Sequence, residues 1–375
     1  MWQIIKKLLL TDIHHTAPSI WKKLKQKKSS MLGLCIIIIA LIICIFGYII
    51  APDASTDADL QTVEIQSKPA SFKQLFLKIP LNNKSESSFF STVFFGKQVA
   101  YKFLPIKSYK ISDEKIMVNK YVDDDTAVAL SYSIAEITND NLKNIQQNII
   151  TKKYYLGTDA FGRDMLSRLI IGTRVSMMVG FIAVFISLTI GIFLGALAGY
   201  YKGKTDAAIM WFLNVTWSIP TLLLVFAITL ALGKGFWQIF IAVGLTLWVS
   251  VARLVRGQVM AVKELEYVQA AKALGYRDSR IILKHILPNI IGPVLVIAAG
   301  NFATAIIVEA GLSFLGIGVQ PPQPSWGLMI KENYNLIITH NAMQALIPGF
   351  AIMLLVLAFN LLGSGLRDAV DVKSS

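Results

Sequence analysis

VSMMVGFIAVFISLTIGIFLGALAGYY occupies residues 175–201 and carries no charged side chain. It is as long as the roughly 17–25 residues a helix needs to cross a bilayer. A helix can do so because it satisfies its backbone hydrogen bonds internally. Gly191, Gly195 and Gly199 recur every fourth residue in this run. They therefore fall on one helix face, where small residues let a second helix approach closely. The stretch thus predicts a membrane helix with a helical neighbour.

The same character repeats outward along the chain. Residues 31–50, 207–233, 235–252, 290–308 and 341–366 are also free of charge, which makes six predicted spans. Overall, 54% of residues are hydrophobic and 16% charged, against about 25% charged in soluble domains. One such run could be a buried core helix, but six in one chain argue against that. Pro220 and Pro348 fall inside the third and sixth runs, where each removes a helix hydrogen bond and predicts a kink.

The net charge of +13 first suggests nucleic acid, but its distribution points to a membrane. Lys22, Lys23, Lys25, Lys27 and Lys28 precede the first run, and Lys202 and Lys204 follow the second. Arg253, Arg256, Lys263, Lys272, Arg277, Arg280 and Lys284 surround the connection between the fourth and fifth. The short loops on the other side hold only Lys234 and Lys331. Basic flanks stay in the cytoplasm, which places both termini and both basic loops there. No aromatic-and-basic module points to nucleic acid. The first run is too long for a signal-peptide core and reads as an anchor. Cys35 and Cys44 both lie within it, so the loops have no disulfide framework and no zinc cluster.

Four parts follow: a basic cytoplasmic leader (1–30), a first transmembrane helix (31–50), an extracytoplasmic insertion (51–156) and a core with the other five spans (157–375). The insertion is too long for a structureless loop. Residues 88–121, rich in Phe, Val, Tyr and Ile, read as strands, and Phe89, Phe90, Val93, Phe94 and Phe95 call for cover. Asp123, Asp124 and Asp125 read as a solvated acidic turn, since calcium-loop spacing is absent.

Catalytic machinery is not apparent. Gly199-Tyr-Tyr-Lys-Gly-Lys-Thr205 is one residue short of a phosphate loop and follows a membrane run instead of a strand. There is no H-E-x-x-H, and no Gly-x-Ser-x-Gly in a strand-turn-helix context. Glu309, Asn214 and Asn301 are too few polar groups for an intramembrane enzyme.

Residues 264–289 read ELEYVQAAKALGYRDSRIILKHILPN. Ala270, Ala271 and Ala273 favour a first short helix, and Gly275 supplies its stop. Asp278 reads as the N-cap of a second helix that ends before Pro288. A small-residue helix with a glycine break suits docking into another protein's groove.

This stretch resembles the EAA loop of ABC-importer permeases, E-A-A-x-x-x-G followed by nine residues and I-x-L-P. Ala270, Ala271, Gly275, Leu287 and Pro288 match in register, while Gln269 stands for the Glu and His285 for the Ile. Leu156-Gly-Thr-Asp-Ala-Phe-Gly-Arg-Asp164, with Ser167, Arg168, Gly172, Arg174 and Ser176, is similar to the lead-in of span two in the second (C-type) permease of dipeptide, oligopeptide and nickel importers. So are Glu309-Ala-Gly-Leu-Ser-Phe-Leu-Gly316, Pro324-Ser-Trp-Gly327, Asn360-Leu-Leu-Gly363, Leu366-Arg-Asp368 and Asp371. Departures are Trp211, Asn214, Ser364 and Val372, and the length of 51–156.

The resemblance implies an all-α polytopic membrane protein, with six transmembrane helices of the type I ABC-importer permease kind and a small extracytoplasmic inserted domain of mixed or β character. It implies an importer of dipeptides or oligopeptides, with nickel or another small solute as the alternative, and a membrane scaffold or receptor as the alternative from another class. Partners would be a second permease subunit, two ATP-binding cassette subunits, an extracytoplasmic substrate-binding protein and the lipid bilayer, in a bacterial inner membrane. This chain would hold no cofactor, no metal and no catalytic residue; ATP and Mg belong to the partner subunits. Gln269, Ala270, Ala271, Gly275, Leu287 and Pro288 would couple to the ATPase. Glu309, Ser313 and Trp326 are candidates for a translocation pathway or gate. The other readings are that Glu309 holds backbone amides of the 311–318 turn and that Trp326 anchors at the interface. Gly157, Asp159, Gly162, Arg163, Asp164, Arg168 and Arg174 would orient the start of span two, with Asp164 and Arg168 paired i,i+4.

Overall fold

The charge-free runs fold as helices. The computed structural model describes residues 20–81, 88–112, 115–134, 137, 142–233, 235–338 and 341–370. Residues 1–19 of the basic leader, Lys234, Asp371 and Val372 lie outside the described residues. Helix α1 spans Ile20–Gln26, α2 Lys28–Ile50, α3 Phe89–Phe95, α4 Met165–Tyr201, α5 Gly203–Trp217 and α6 Thr221–Leu232. Then follow α7 (Phe236–Lys263), α8 (Glu266–Ala273), α9 (Asp278–Phe314), α10 (Trp326–Asn333) and α11 (Met343–Val370).

Five of these helices (α2, α4, α7, α9 and α11) are long and apolar enough to cross a membrane. The third run is not one straight span. Pro220 stands between α5 and α6, which meet at 91°. Proline has no N–H to donate and clashes with the preceding turn, so the helix breaks there instead of kinking. Pro348 sits inside α11, which continues through it.

Two compact units emerge: Met1–Ala40 with Ser176–Val319 and Ala351–Ser375, and Leu41–Val175 with Gln320–Phe350. In the first, α4 lies on α7. A Cβ on Gly191 would stand 2.5 Å from the Val251 Cβ, one on Gly195 2.5 Å from the Ala252 carbonyl oxygen, and one on Gly199 2.7 Å from that of Arg256. The partners advance together along both helices, so α4 and α7 run parallel. Helix α9 is tied to α7 by Asn301, whose Nδ2 donates to the Leu247 carbonyl at 3.3 Å. Phe302 of α9 stacks on Phe359 of α11 with ring centroids 3.9 Å apart. Arg256 grips Asp206 of α5 with two bonds of 2.6 Å, and the Arg253 guanidinium lies 3.1 Å over the Trp217 ring. Lys27, just before α2, pairs with Asp368 near the end of α11 and donates to Ser364 Oγ at 3.0 Å.

The second unit holds a five-stranded antiparallel sheet. Its strands are β1 (Phe72–Pro80), β2 (Tyr101–Ile111), β3 (Lys115–Tyr121), β4 (Ala127–Ser133) and β5 (Ile149–Tyr154), in the order β4-β3-β2-β1-β5. Alternation puts Leu77, Leu104, Ile106 and Val118 in one apolar cluster and Phe76, Tyr121 and Tyr154 in another. Each face therefore carries an apolar cluster, while Tyr109, Met117 and Val128 stay exposed. The strand expectation for 88–121 is right for β2 and β3 and wrong for Phe89–Phe95, which forms a helix. Only Val93 of its apolar residues is buried. The acidic turn is built from side-chain bonds: Asp123 Oδ1 accepts from the Asp125 and Thr126 amides, and Asp124 pairs with Lys68 at 2.9 Å.

Gly195→Leu forces atoms into the α7 backbone and is expected to cost about 1–3 kcal/mol, read as a lowered unfolding midpoint in detergent. Gly257→Ala, where a Cβ would meet nothing within 4 Å, should leave the midpoint unchanged or higher. Equal midpoints for both variants would show that the glycine face does not hold α4 to α7.

Candidate coupling site

The basic connection after α7 is folded, and its conformation follows from its residues. Helix α8 ends in a Schellman motif: the Tyr276 amide donates to the Ala271 carbonyl at 3.2 Å and the Gly275 amide to that of Lys272 at 3.0 Å. Gly275 has φ +77°, a left-handed conformation that costs other residues about 1–2 kcal/mol. Val268 and Ala271 turn inward and pack in one cluster with Val255, Val259, Ile281 and Ile286. Ala270 and Gln269 face outward.

The departure at 269 has a physical role. The Gln269 side-chain amide donates to the Lys263 carbonyl at 2.8 Å. Lys263 is the last residue of α7, so its carbonyl lacks an intrahelical donor. A carboxylate could only accept, and could not close this bond.

Two expectations need correction. Asp278 is the first helical residue instead of the N-cap, and its Oδ1 accepts the Tyr200 hydroxyl at 2.7 Å. Helix α9 does not end before Pro288. It passes through a π turn at Ile282–Ile286, where the Leu287 amide reaches the Ile282 carbonyl, and runs on to Phe314. A wider turn relieves the clash that proline imposes on the preceding turn. The Asn289 side chain then donates to the His285 carbonyl at 2.7 Å.

Three bonds at the end of α4 tether the connection. Besides Tyr200 to Asp278, Lys263 Nζ donates to the Tyr200 carbonyl at 2.6 Å and Lys202 Nζ to Glu264 at 2.8 Å. The Lys202 ammonium holds the Glu264 carboxyl below its usual range. Burial raises the Tyr267 hydroxyl. Leu274 is 74% exposed, and Leu265, Tyr267 and Leu283 are also open. The sequence reading missed these apolar side chains. Of the six expected coupling residues, Gln269, Ala270, Gly275 and Pro288 are exposed, Leu287 is half-buried, and Ala271 is buried as an internal anchor.

The lead-in residues of α4 form a buried ion network. Gly157 and Gly162 make turns against the backbones of Lys68 and Thr62. Asp159 accepts from the Phe161 and Arg163 amides and from Arg163 Nε at 2.6 Å. Arg163 also meets Asp59 at 3.1 Å and Glu332 at 2.6 Å. Arg168, fully buried, contacts Glu332 at 3.3 Å and Asp159 at 3.6 Å. The expected Asp164–Arg168 pair does not form, because Asp164 is the N-cap of α4 and accepts the Ser167 amide at 2.9 Å. Burial raises the Asp164 carboxyl, against the pull of the Ser167 bonds. Arg174 lies apart from the network, its guanidinium 4.8 Å from the Tyr48 ring and its NH1 on the Val93 carbonyl.

Glu309 is buried and accepts the Ser313 hydroxyl at 2.7 Å, and Ser313 Oγ accepts the Val319 amide at 3.0 Å. The carboxylate thus reaches the turn after α9 through a serine. Trp326 is buried rather than interfacial: its Nε1 donates to the Leu169 carbonyl at 3.0 Å, and its ring lies against Gly172.

A bundle of apolar helices with a structured basic connection defines a multi-pass membrane protein. Residues 191–374 match the family described as binding-protein-dependent transport system inner membrane component. Residues 19–69 match the N-terminal TM domain of oligopeptide transport permease C. The glutathione transport system permease protein GsiD of Pectobacterium atrosepticum is 42% identical over 59% of this chain and 73% of its own. The oligopeptide transport system permease protein OppC of Bacillus subtilis is 40% identical over 60% and 73%. The dipeptide transport system permease protein DppC of Alkalihalophilus pseudofirmus is 42% identical over 59% and 72%. The chain belongs to the binding-protein-dependent transport system inner membrane component family. It is a permease subunit of an ABC importer and not an enzyme; the ATPase activity lies in partner subunits.

Two substitutions test these networks. Tyr200→Phe removes a hydrogen bond to a carboxylate, worth about 1.5–3 kcal/mol, and is expected to speed hydrogen exchange across residues 266–281; unchanged exchange would remove Tyr200 as an anchor. Glu332→Gln unbalances two buried arginines and is expected to cost about 3 kcal/mol, seen as a lower unfolding midpoint in detergent. An unmoved midpoint would mean that Asp159 and Asp59 suffice for both.

Proposed function

We propose that this chain imports dipeptides or oligopeptides, as half of a pore completed by a second permease subunit of different sequence. Two ATP-binding cassette subunits, carrying ATP and Mg, act on it from the cytoplasm of a bacterial cell, and a substrate-binding protein delivers peptide from outside. The relatives named above, permeases for glutathione, dipeptides and oligopeptides, favour a peptide.

The observation that carries the coupling assignment is the tethered α8 motif with its exposed apolar rim. The ATPase contact consists of Gln269, Ala270, Gly275 and Pro288 together with Leu274; Ala271 and Leu287 hold that surface in place. Six crossings fit the packing, since α4 and α7 run parallel and the chain must return between them, a role for bent α5–α6. The Lys27–Asp368 pair, which joins the start of α2 to the end of α11, supports both termini on one side, and the basic flanks favour the cytoplasm. On this topology the parts are the leader (1–30), the first helix (31–50), the extracytoplasmic sheet insertion (51–156) and the core (157–375). Glu309 and Ser313 steady the turn at the outer end of α9, and Trp326 and the Asp159–Arg163–Arg168 network fix the lead-in of α4.

Gly275→Arg adds a long cation at the α8 stop, where the turn itself costs only about 1–2 kcal/mol to a non-glycine residue. The variant is expected to insert normally, lose co-purifying ATPase and drop uptake of a labelled dipeptide to background. Wild-type uptake by this variant would sink the coupling assignment.

A further inference from the structure

Helix α3, Phe-Phe-Ser-Thr-Val-Phe-Phe, carries four aromatic rings that are largely open among the described residues. Phe89, Phe90, Phe94 and Phe95 are 68%, 73%, 54% and 70% exposed. A cluster of this kind on a protein surface marks a contact with a membrane or a partner. Its position decides between them. The charge-free part of α2, residues 31–50, rises about 30 Å at 1.5 Å per residue, the thickness of the hydrocarbon layer. Ile50 therefore marks the edge of that layer. Helix α3 is fastened at this edge. A Cβ on Gly96, its C-cap, would lie 2.9 Å from the Tyr48 ring and 3.0 Å from the Ala54 carbonyl oxygen. The Lys97 amide donates to the Ala54 carbonyl at 2.7 Å. Arg174, against Tyr48, donates to the Val93 carbonyl at 3.3 Å. The neighbouring turn of α2 exposes Ile45, Phe46, Ile49 and Ile50, the apolar face a span offers to lipid. The helix itself contains no charge.

We infer that α3 lies in the membrane interface and inserts its phenylalanine rings among the outer acyl chains, so that the sheet domain is held at the bilayer surface by this helix as well as by α2 and α4. Exposed phenylalanine rings beside a span's end supply the apolar contact by which an interfacial helix enters the acyl boundary. The occupant of the patch is lipid. A soluble protein partner would have to reach rings that already sit at the depth of lipid.

The test is spin-label accessibility on the assembled transporter in vesicles of phosphatidylethanolamine and phosphatidylglycerol. Phe90→Cys and Phe95→Cys are labelled separately in a chain carrying Cys35→Ala and Cys44→Ala. Tyr109→Cys, on exposed β2, is the water reference, and Ile42→Cys, on the open face of α2, is the lipid reference. The expected oxygen-to-nickel-chelate collision ratio at 90 and 95 is several-fold above that at 109 and approaches that at 42. A ratio equal to that at 109 overturns the inference in favour of water. Low collision with both reagents overturns it in favour of a protein partner. Ile42 reports separately: a water-like value there means that α2 does not span, which is a failure of the permease topology and not of the α3 anchor alone.

Discussion

Backbone contact between α4 and α7 along Gly191, Gly195 and Gly199 is the constraint on which the helical unit depends. Within a bilayer, burial of apolar surface does not draw helices together, because lipid is as apolar as leucine. Close fit must do it. At each glycine a methyl group would overlap α7, at 2.5 to 2.7 Å from the nearest atom. The fit also fixes the relative height of the two helices. Tyr200 therefore lies beside the last turns of α7, where Lys263 can reach its carbonyl and its own hydroxyl can reach Asp278. The conformation of the coupling connection is thus a consequence of helix packing one turn away.

Polar groups complete what shape begins. Asn301 bonds to the α7 backbone, and Arg253 and Arg256 hold α5 through Trp217, Asn214 and Asp206. Each of these groups would be costly if left unpaired away from water. Pairing across helices removes that cost and selects one arrangement over others of similar shape. The same logic governs Arg163 and Arg168. Two buried guanidinium groups persist because Asp159, Asp59 and Glu332 surround them.

The membrane class, the runs that became helices and the α8 stop at Gly275 were legible in the sequence, because charge exclusion and left-handed glycine are local properties. The pairing of the lead-in charges was not. Spacing of i,i+4 makes Asp164–Arg168 possible, but Asp164 is nearer to the orphan amide of Ser167, and Arg168 finds Glu332 far away in sequence. Asp278 misled for a similar reason: a tertiary donor, Tyr200, outcompeted the local capping bond. Phe89–Phe95 has the composition of a strand but none of its alternation, and it forms a helix. Pro288 marked a local disturbance correctly, yet a π turn absorbed it where a break was expected.

That last point bears on how the two ends of the helical unit communicate. Helix α9 runs from Asp278, beside the coupling surface, to Phe314, one residue past Ser313, and covers 37 residues. At 1.5 Å per residue it is about 55 Å long. Had Pro288 ended a helix, a flexible joint would separate the cytoplasmic connection from the Glu309–Ser313 turn. With the helix continuous, Asp278 and Glu309 lie on one rod, which passes through the π turn and through Pro293 without a break. On the coupling assignment proposed above, a displacement applied by the ATPase at Ala270 and Leu274 passes through the cluster of Val268, Ala271, Ile281 and Ile286 into this rod. The packed interior resists compression, so the displacement is delivered along α9 instead of being absorbed beside the loop.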